Sequence, residues 1–301
     1  MSTRNTPSRF NTLLLREWMQ HHRGWLAMVL LPPLIVLAVL PFGSVEIGAG
    51  ELGRAPELAA MLAAMALVPA VVLGITVFSL LIQAPGLARR DVQDRSIEFW
   101  LSLPISHSSS IGATVLMHLV LVPLFAVLVG AVLGVPIGIA VVWKAFGPAA
   151  ALALPWGPLA AAGAAGLARG VLGVLLACLW LVPLVLSVMA ASAWLKRWGV
   201  PLLGLVLGIG HAALRARFDN PVIGETLRGF FVNARFAIVA GPPPGRGGLA
   251  ALVTSLGDAP GWFLADGLDA LKNLGQPLFA VALVIGAVAF GLLVLRRSRS
   301  G

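Results

Sequence analysis

The side chains able to do chemistry are few in this sequence: one cysteine, five histidines and twelve carboxylates among 301 residues. There is no Gly-x-x-x-x-Gly-Lys-Ser/Thr loop to cradle nucleotide phosphates, no His-Glu-x-x-His, no Gly-x-Ser-x-Gly and no paired cysteines. Cys178 stands alone in an apolar run, so neither an intrachain disulfide nor a cysteine metal site can form, and it reads as a small core residue. Two histidines fall inside apolar runs, His118 and His211. Polar residues in lipid are candidates for a substrate or proton pathway; the plainer alternative is a ring bonded to a backbone carbonyl or facing the headgroups. Haem ligation by the pair is disfavoured, because their depths lie near opposite faces. No carboxylate falls in the middle of an apolar run, where an ion-coupled carrier usually keeps one. The expectation is a chain that is not an enzyme and holds no cofactor or metal.

The elements that must position these residues follow from composition. Hydrophobic residues make up 59% of the chain and charged ones 11%, with a mean hydropathy of +0.95. A soluble domain carries roughly 25% charged residues, so this chain reads as an all-α, multi-pass membrane protein. Its net charge of +9 would suggest nucleic acid in a soluble protein. Here the basic residues lie at the ends of apolar runs, where lipid headgroups and membrane insertion select them, and no nucleic-acid partner is expected. The amino terminus lacks a small-residue cleavage site and does not read as a removable signal peptide.

A crossing takes roughly 20 apolar residues. Six runs qualify: Trp25–Phe42, Ala59–Ile82, Ile111–Val142, Gly170–Leu195, Trp198–Leu214 and Pro277–Leu295. A seventh stretch, Phe146–Ala168, is uncharged but interrupted by Pro148, Pro155 and Pro158. Six spans with both termini cytoplasmic put twelve basic residues inside (Arg4, Arg9, Arg16, Arg23, Arg89, Arg90, Arg95, Lys196, Arg197, Arg296, Arg297, Arg299) against three in short outer loops (Arg54, Lys144, Arg169). A seventh span abolishes that bias, so the positive-inside rule selects six. Phe146–Ala168 is then an outer re-entrant or interfacial element packed on protein. Residues 1–301 form a single transmembrane domain, with a long outer segment over 215–276. In that segment Trp262, Phe263, Leu264, Leu268, Leu271 and Leu274 recur at helical spacing, an interfacial amphipathic helix or one packed on the bundle. Prolines at 32, 33, 69, 123, 136 and 183 kink helices and permit hinge motion.

Two cytoplasmic segments are the most informative. In residues 1–24, Phe10, Leu13, Leu14, Trp18 and Met19 gather on one helical face and Arg16, Glu17, Gln20 and His21 on the other, an interfacial helix turning sharply into the first span. In the loop 83–110, Asp94, Arg95, Glu98 and Ser102 share one arc of a short helix ended by Pro104, while Val92, Ile97, Phe99, Trp100 and Leu103 fill the rest.

Leu13-Leu-Leu-Arg-Glu-Trp-Met-Gln-His-His-Arg-Gly-Trp25 and Asp94-Arg-Ser-Ile-Glu-Phe-Trp-Leu-Ser-Leu-Pro-Ile-Ser106 resemble the ATP-binding-cassette (ABC) type 2 permease family, the membrane subunits of exporters. Many members carry a lysine soon after Ser-Leu-Pro, whereas this chain reads Ile111-Gly-Ala-Thr-Val-Leu-Met-His118. The resemblance implies a coupling helix between spans two and three that docks on a separate ABC ATPase through Arg95, Glu98, Phe99, Trp100 and Leu103. It also implies a homodimer or heterodimer of permeases in the bilayer of a bacterial inner membrane. Competing readings are an ion- or proton-coupled carrier using His118 or His211, and a membrane anchor or assembly factor that transports nothing.

Overall fold

A computed structural model describes residues 9–45, 55–89, 106–239, 241 and 249–299. Every regular element among them is helical. Five stretches are long and apolar enough to cross a membrane: Phe10–Val39, Pro56–Leu87, His107–Phe146, Trp156–Phe218 and Pro277–Ser298. The chain is a multi-pass helical membrane protein on that basis.

Helix α1 (Arg9–Val39) runs unbroken through Gly24 and past Pro32 and Pro33, so the sharp turn expected before Trp25 is not made. Its buried stripe is Leu13, Glu17, Trp25, Val29 and Pro33, a four-residue spacing that keeps one line of side chains against a neighbour. Phe10 and Met19, expected on the apolar face, are exposed. Helix α2 (Pro56–Leu87) starts on Pro56, where a missing N–H costs nothing. Helix α3 (His107–Leu116) is capped by Ser106, whose hydroxyl accepts from the Ser109 N–H at 3.1 Å. It passes through a π turn (Met117–Leu121) into α4 (Val122–Phe146).

The α2–α4 pair is the most extensive helix contact, and its cause is legible in α4 as Gly130-x-x-x-Gly134-x-x-x-Gly138. A Cβ on Gly130 would lie 2.5 Å from Pro69 Cα, on Gly134 3.3 Å from Ala64 O, and on Gly138 2.6 Å from Met61 Sδ. Small residues every four positions let backbones touch where no hydrophobic effect drives helices together. The pairs 130 with 69, 134 with 64 and 138 with 61 also make the two helices antiparallel.

Gly147, at φ 88°, ends α4 in a conformation that favours glycine. The short α5 (Pro148–Leu152) and the first turns of α6 (Trp156–Leu195) follow. Residues 156–168 are therefore the beginning of a 40-residue helix, not a separate element. Pro155 and Pro158 fall at the helix start, where N–H groups have no intrahelical acceptor to lose. At about 1.5 Å per residue, α6 is about twice the roughly 30 Å hydrocarbon thickness. Its extra turns pack, as expected, on protein: Leu159 and Ala162 cluster with Leu58, Met61, Ala151 and Ala259. The chain then turns at Lys196, φ 55°, and Gly199 seats α7 (Gly199–Phe218) on the Ala191 carbonyl. Beyond come α8 (Val222–Ile238), α9 (Leu249–Thr254), α10 (Ala259–Lys272) and α11 (Pro277–Ser298).

Helix α11 runs parallel to α6: Phe279 stacks edge-on against Trp180, Gly286 faces Pro183, and Arg296 Nε donates to Ala193 O at 3.3 Å. Both end in a basic girdle in which Arg296 and Arg299 lie over Trp194. At the other end of the bundle, Lys144 Nζ donates to Leu40 O at 2.8 Å and to Pro41 O.

The glycine contacts set opposite expectations for one substitution. Gly130→Ala should destabilise the protein by about 1–3 kcal/mol through overpacking. Gly74→Ala, with nothing near the added methyl, should be neutral or stabilise by up to about 1 kcal/mol. Thermal unfolding in one detergent checks both.

Candidate functional site

The densest polar cluster in the described bundle lies where α1 meets α3. Glu17 has no exposed surface. Its Oε1 accepts from Arg16 Nη2 and from Thr114 Oγ1, the latter at 3.1 Å. Thr114 also reaches Ser110 O at 3.3 Å. One turn further along α1, the His21 ring lies 5.3 Å from that of His118, and Trp25 lies 5.3 Å from His21 and 5.2 Å from His118. One carboxylate oxygen of Glu17 and one ring nitrogen each of His21 and His118 lie within 4.8 Å of one another. A buried carboxylate must be paired, and the α1 stripe puts Glu17 against α3, where Thr114 helps to pair it.

The π turn explains the place of His118. Its ring sits fully buried one turn after Thr114, whose carbonyl it meets through Nδ1 at 3.0 Å. A carbonyl only accepts, so Nδ1 carries the proton and Nε2 of the neutral ring carries the lone pair. Within the turn the Val122 N–H bonds to Met117 O, five residues back, and Cys178 of α6 donates its thiol to Leu119 O at 2.6 Å. Such single wide turns concentrate at functional sites.

His211 is elsewhere. Its Nδ1 accepts the Gly224 N–H at 3.3 Å, and it lines a groove of about 500 Å³ with Arg215, Asp219, Gly224, Glu225 and Arg228. Asp219 at φ 47° closes α7 there. The two histidines thus have different surroundings, His118 against α1 and His211 against α8. The groove carries both signs of charge, which suits no single ionic ligand.

The third polar node joins residues that the sequence placed on the outer side without pairing them. Arg169 Nε donates to Asp266 Oδ2 at 2.7 Å, Arg169 Nη1 to Ala237 O at 2.7 Å, and the Gly241 N–H to Asp266 Oδ1 at 2.9 Å. Both charges are nearly buried. Asp266, Gly267 and Ala270 form the face of α10 turned to α6, while Leu264, Leu268 and Leu271 point outward. The helix is therefore packed on the bundle through its small and acidic face and keeps its leucines for the surroundings.

Arg95, Glu98, Phe99, Trp100 and Leu103, expected to contact an ATPase, lie outside the described residues. Glu17, His21, Arg169 and Asp266 were not expected to form sites. A four-residue stripe containing Leu13 and Val29 marks Glu17 as inward-facing, but residues contributed by different helices carry no spacing signal. No protein-family model, curated protein or solved structure matches the chain.

The two kinds of ion pair separate experimentally. Asp266→Ala strands a buried guanidinium and should cost about 3–5 kcal/mol. Asp269→Ala breaks only the exposed bridge to Lys272 and should cost under about 1 kcal/mol. Unfolding curves of the two variants provide the comparison.

Proposed function

We propose that the chain is the transmembrane permease subunit of an ABC exporter in a bacterial inner membrane, driven by a separate ATPase subunit and carrying an amphipathic or lipid-like substrate. The observation that carries this reading is a convergence. The two segments that resemble type 2 permeases are an amino-terminal stretch and a loop that leads into α3, and Glu17 of the first is bonded to Thr114 of the α3 that follows the second. A push on the loop would reach α3 first and, through Glu17, the first span. Two-state packing of that kind turns a small displacement into a rotation of helices.

Six crossings with both termini cytoplasmic belong to the same proposal. The parallel run of α6 and α11 supports a return crossing between them, and on this reading the fifth crossing begins near Trp198 and α11 is the sixth. The girdle of Arg16, Arg89, Lys196, Arg197, Arg296 and Arg297 at the ends of these helices supports a cytoplasmic orientation for that end. Arg95 and Glu98 would give charge complementarity to the ATPase, and Phe99 and Trp100 are side chains that anchor interfaces. A dimer of this chain, or a pair with a sister permease, would enclose the path.

A proton-coupled carrier is the second reading, and the buried Glu17–His21–His118 set is what favours it. The readings part on Glu98→Arg. In the permease reading the variant inserts normally but loses at least tenfold in stimulation of a co-purified ATPase. Full pull-down and full stimulation would remove the coupling assignment, and uptake into vesicles driven by a pH gradient without ATP would select the carrier.

A further inference from the structure

We infer that Glu17, His21 and His118 form a binding site for a divalent transition-metal ion of the zinc class, which fastens α1 to the π turn after α3. This does not rest on the exporter reading. Two imidazole nitrogens and one carboxylate oxygen make a mixed nitrogen and oxygen donor set of the kind zinc accepts, with a fourth position left for water. Hard magnesium and calcium, which want oxygen ligands, would be poorly served.

Three features of the cluster fit a ligand set. The donor atoms already lie within 4.8 Å of one another. Metal–nitrogen bonds of about 2.0–2.1 Å place tetrahedral donors about 3.3 Å apart, and His21, which is only partly buried, has the freedom to close the difference. The His118 ring is already oriented: its Nδ1–H is held by Thr114 O at 3.0 Å, which leaves Nε2 as the ligating atom of the neutral ring. A backbone carbonyl behind a ligating histidine fixes the ring and raises its basicity. Glu17 is held in turn by Thr114 Oγ1 at 3.1 Å and by Arg16, both on Oε1. A carboxylate has about four acceptor positions, so these two contacts do not use up its capacity as a ligand. Arg16 works against a cation and weakens the site.

The test uses the full chain, with any affinity tag removed, in lipid nanodiscs. Titration with Co²⁺ should develop visible d–d bands of a low-symmetry site, saturating at one ion per chain and displaced by Zn²⁺. His118→Gln and His21→Gln should each weaken Co²⁺ binding at least tenfold, since even the outer partners of ligands are worth 10–100-fold. His22→Gln, whose ring bonds Trp18 O and Met19 O instead, should leave it unchanged. Should His118→Gln fail to fold, His21→Gln decides. No bands at micromolar Co²⁺, or a site that survives both substitutions, would overturn the assignment. A loss of binding confined to His22→Gln would do the same.

Discussion

A fully buried carboxylate constrains everything around it. Glu17 lies on the stripe by which α1 packs, and burying it unpaired would cost several kcal/mol. Arg16 and Thr114 supply the pairing. Thr114 can do so only if α3 approaches α1 at that level, which fixes the register of the first and third membrane segments. The same approach brings His118 to His21 and places the π turn against α6, where Cys178 satisfies a carbonyl of the turn. One acid thus sets the mutual position of three helices.

The opposite half of the bundle uses different physics. Along α2 and α4 the contact is almost free of side-chain chemistry: three glycines let backbones meet, and dispersion does the rest. At the far end, Arg169 and Asp266 cross-link α6 and α10 and take up the Ala237 carbonyl in the last turn of α8 and the Gly241 N–H beyond it. Among the described residues, the buried carboxylates Glu17 and Asp266 are paired, and each ties elements distant in sequence. The bundle is close-packed along the α2–α4 seam and tied by the charged nodes at Glu17 and at Arg169–Asp266.

Much of this was legible in the sequence and part was not. Apolar runs located the helices, because lipid leaves the backbone no other way to satisfy its polar groups. Helix ends were less accurate. Gly170–Leu195 extends back to Trp156 because alanine and glycine, weak in hydropathy, still form helix when packed, and Pro155 and Pro158 mark a start that was taken for an interruption. The glycine ladder of α4 is plain in its spacing, Gly130, Gly134 and Gly138. The face of α1 was misassigned because a carboxylate counts as polar in any amphipathic pattern, whereas its partner on α3 makes it an interior residue. Arg169 with Asp266, and Glu17 with His118, bring together residues from different helices, and a one-dimensional pattern carries no trace of such pairs.

The joint between α1 and α3 is the claim on which the mechanical reading stands, and a double-mutant cycle measures it without knowledge of substrate or partner. Glu17→Gln, Thr114→Val and the double variant would be unfolded in the same detergent. A coupling of about 0.6–1.7 kcal/mol, the range found for hydrogen bonds between membrane helices, is the expected result. Costs that add to within about 0.3 kcal/mol, as for residues that do not touch, would contradict the joint and everything built on it.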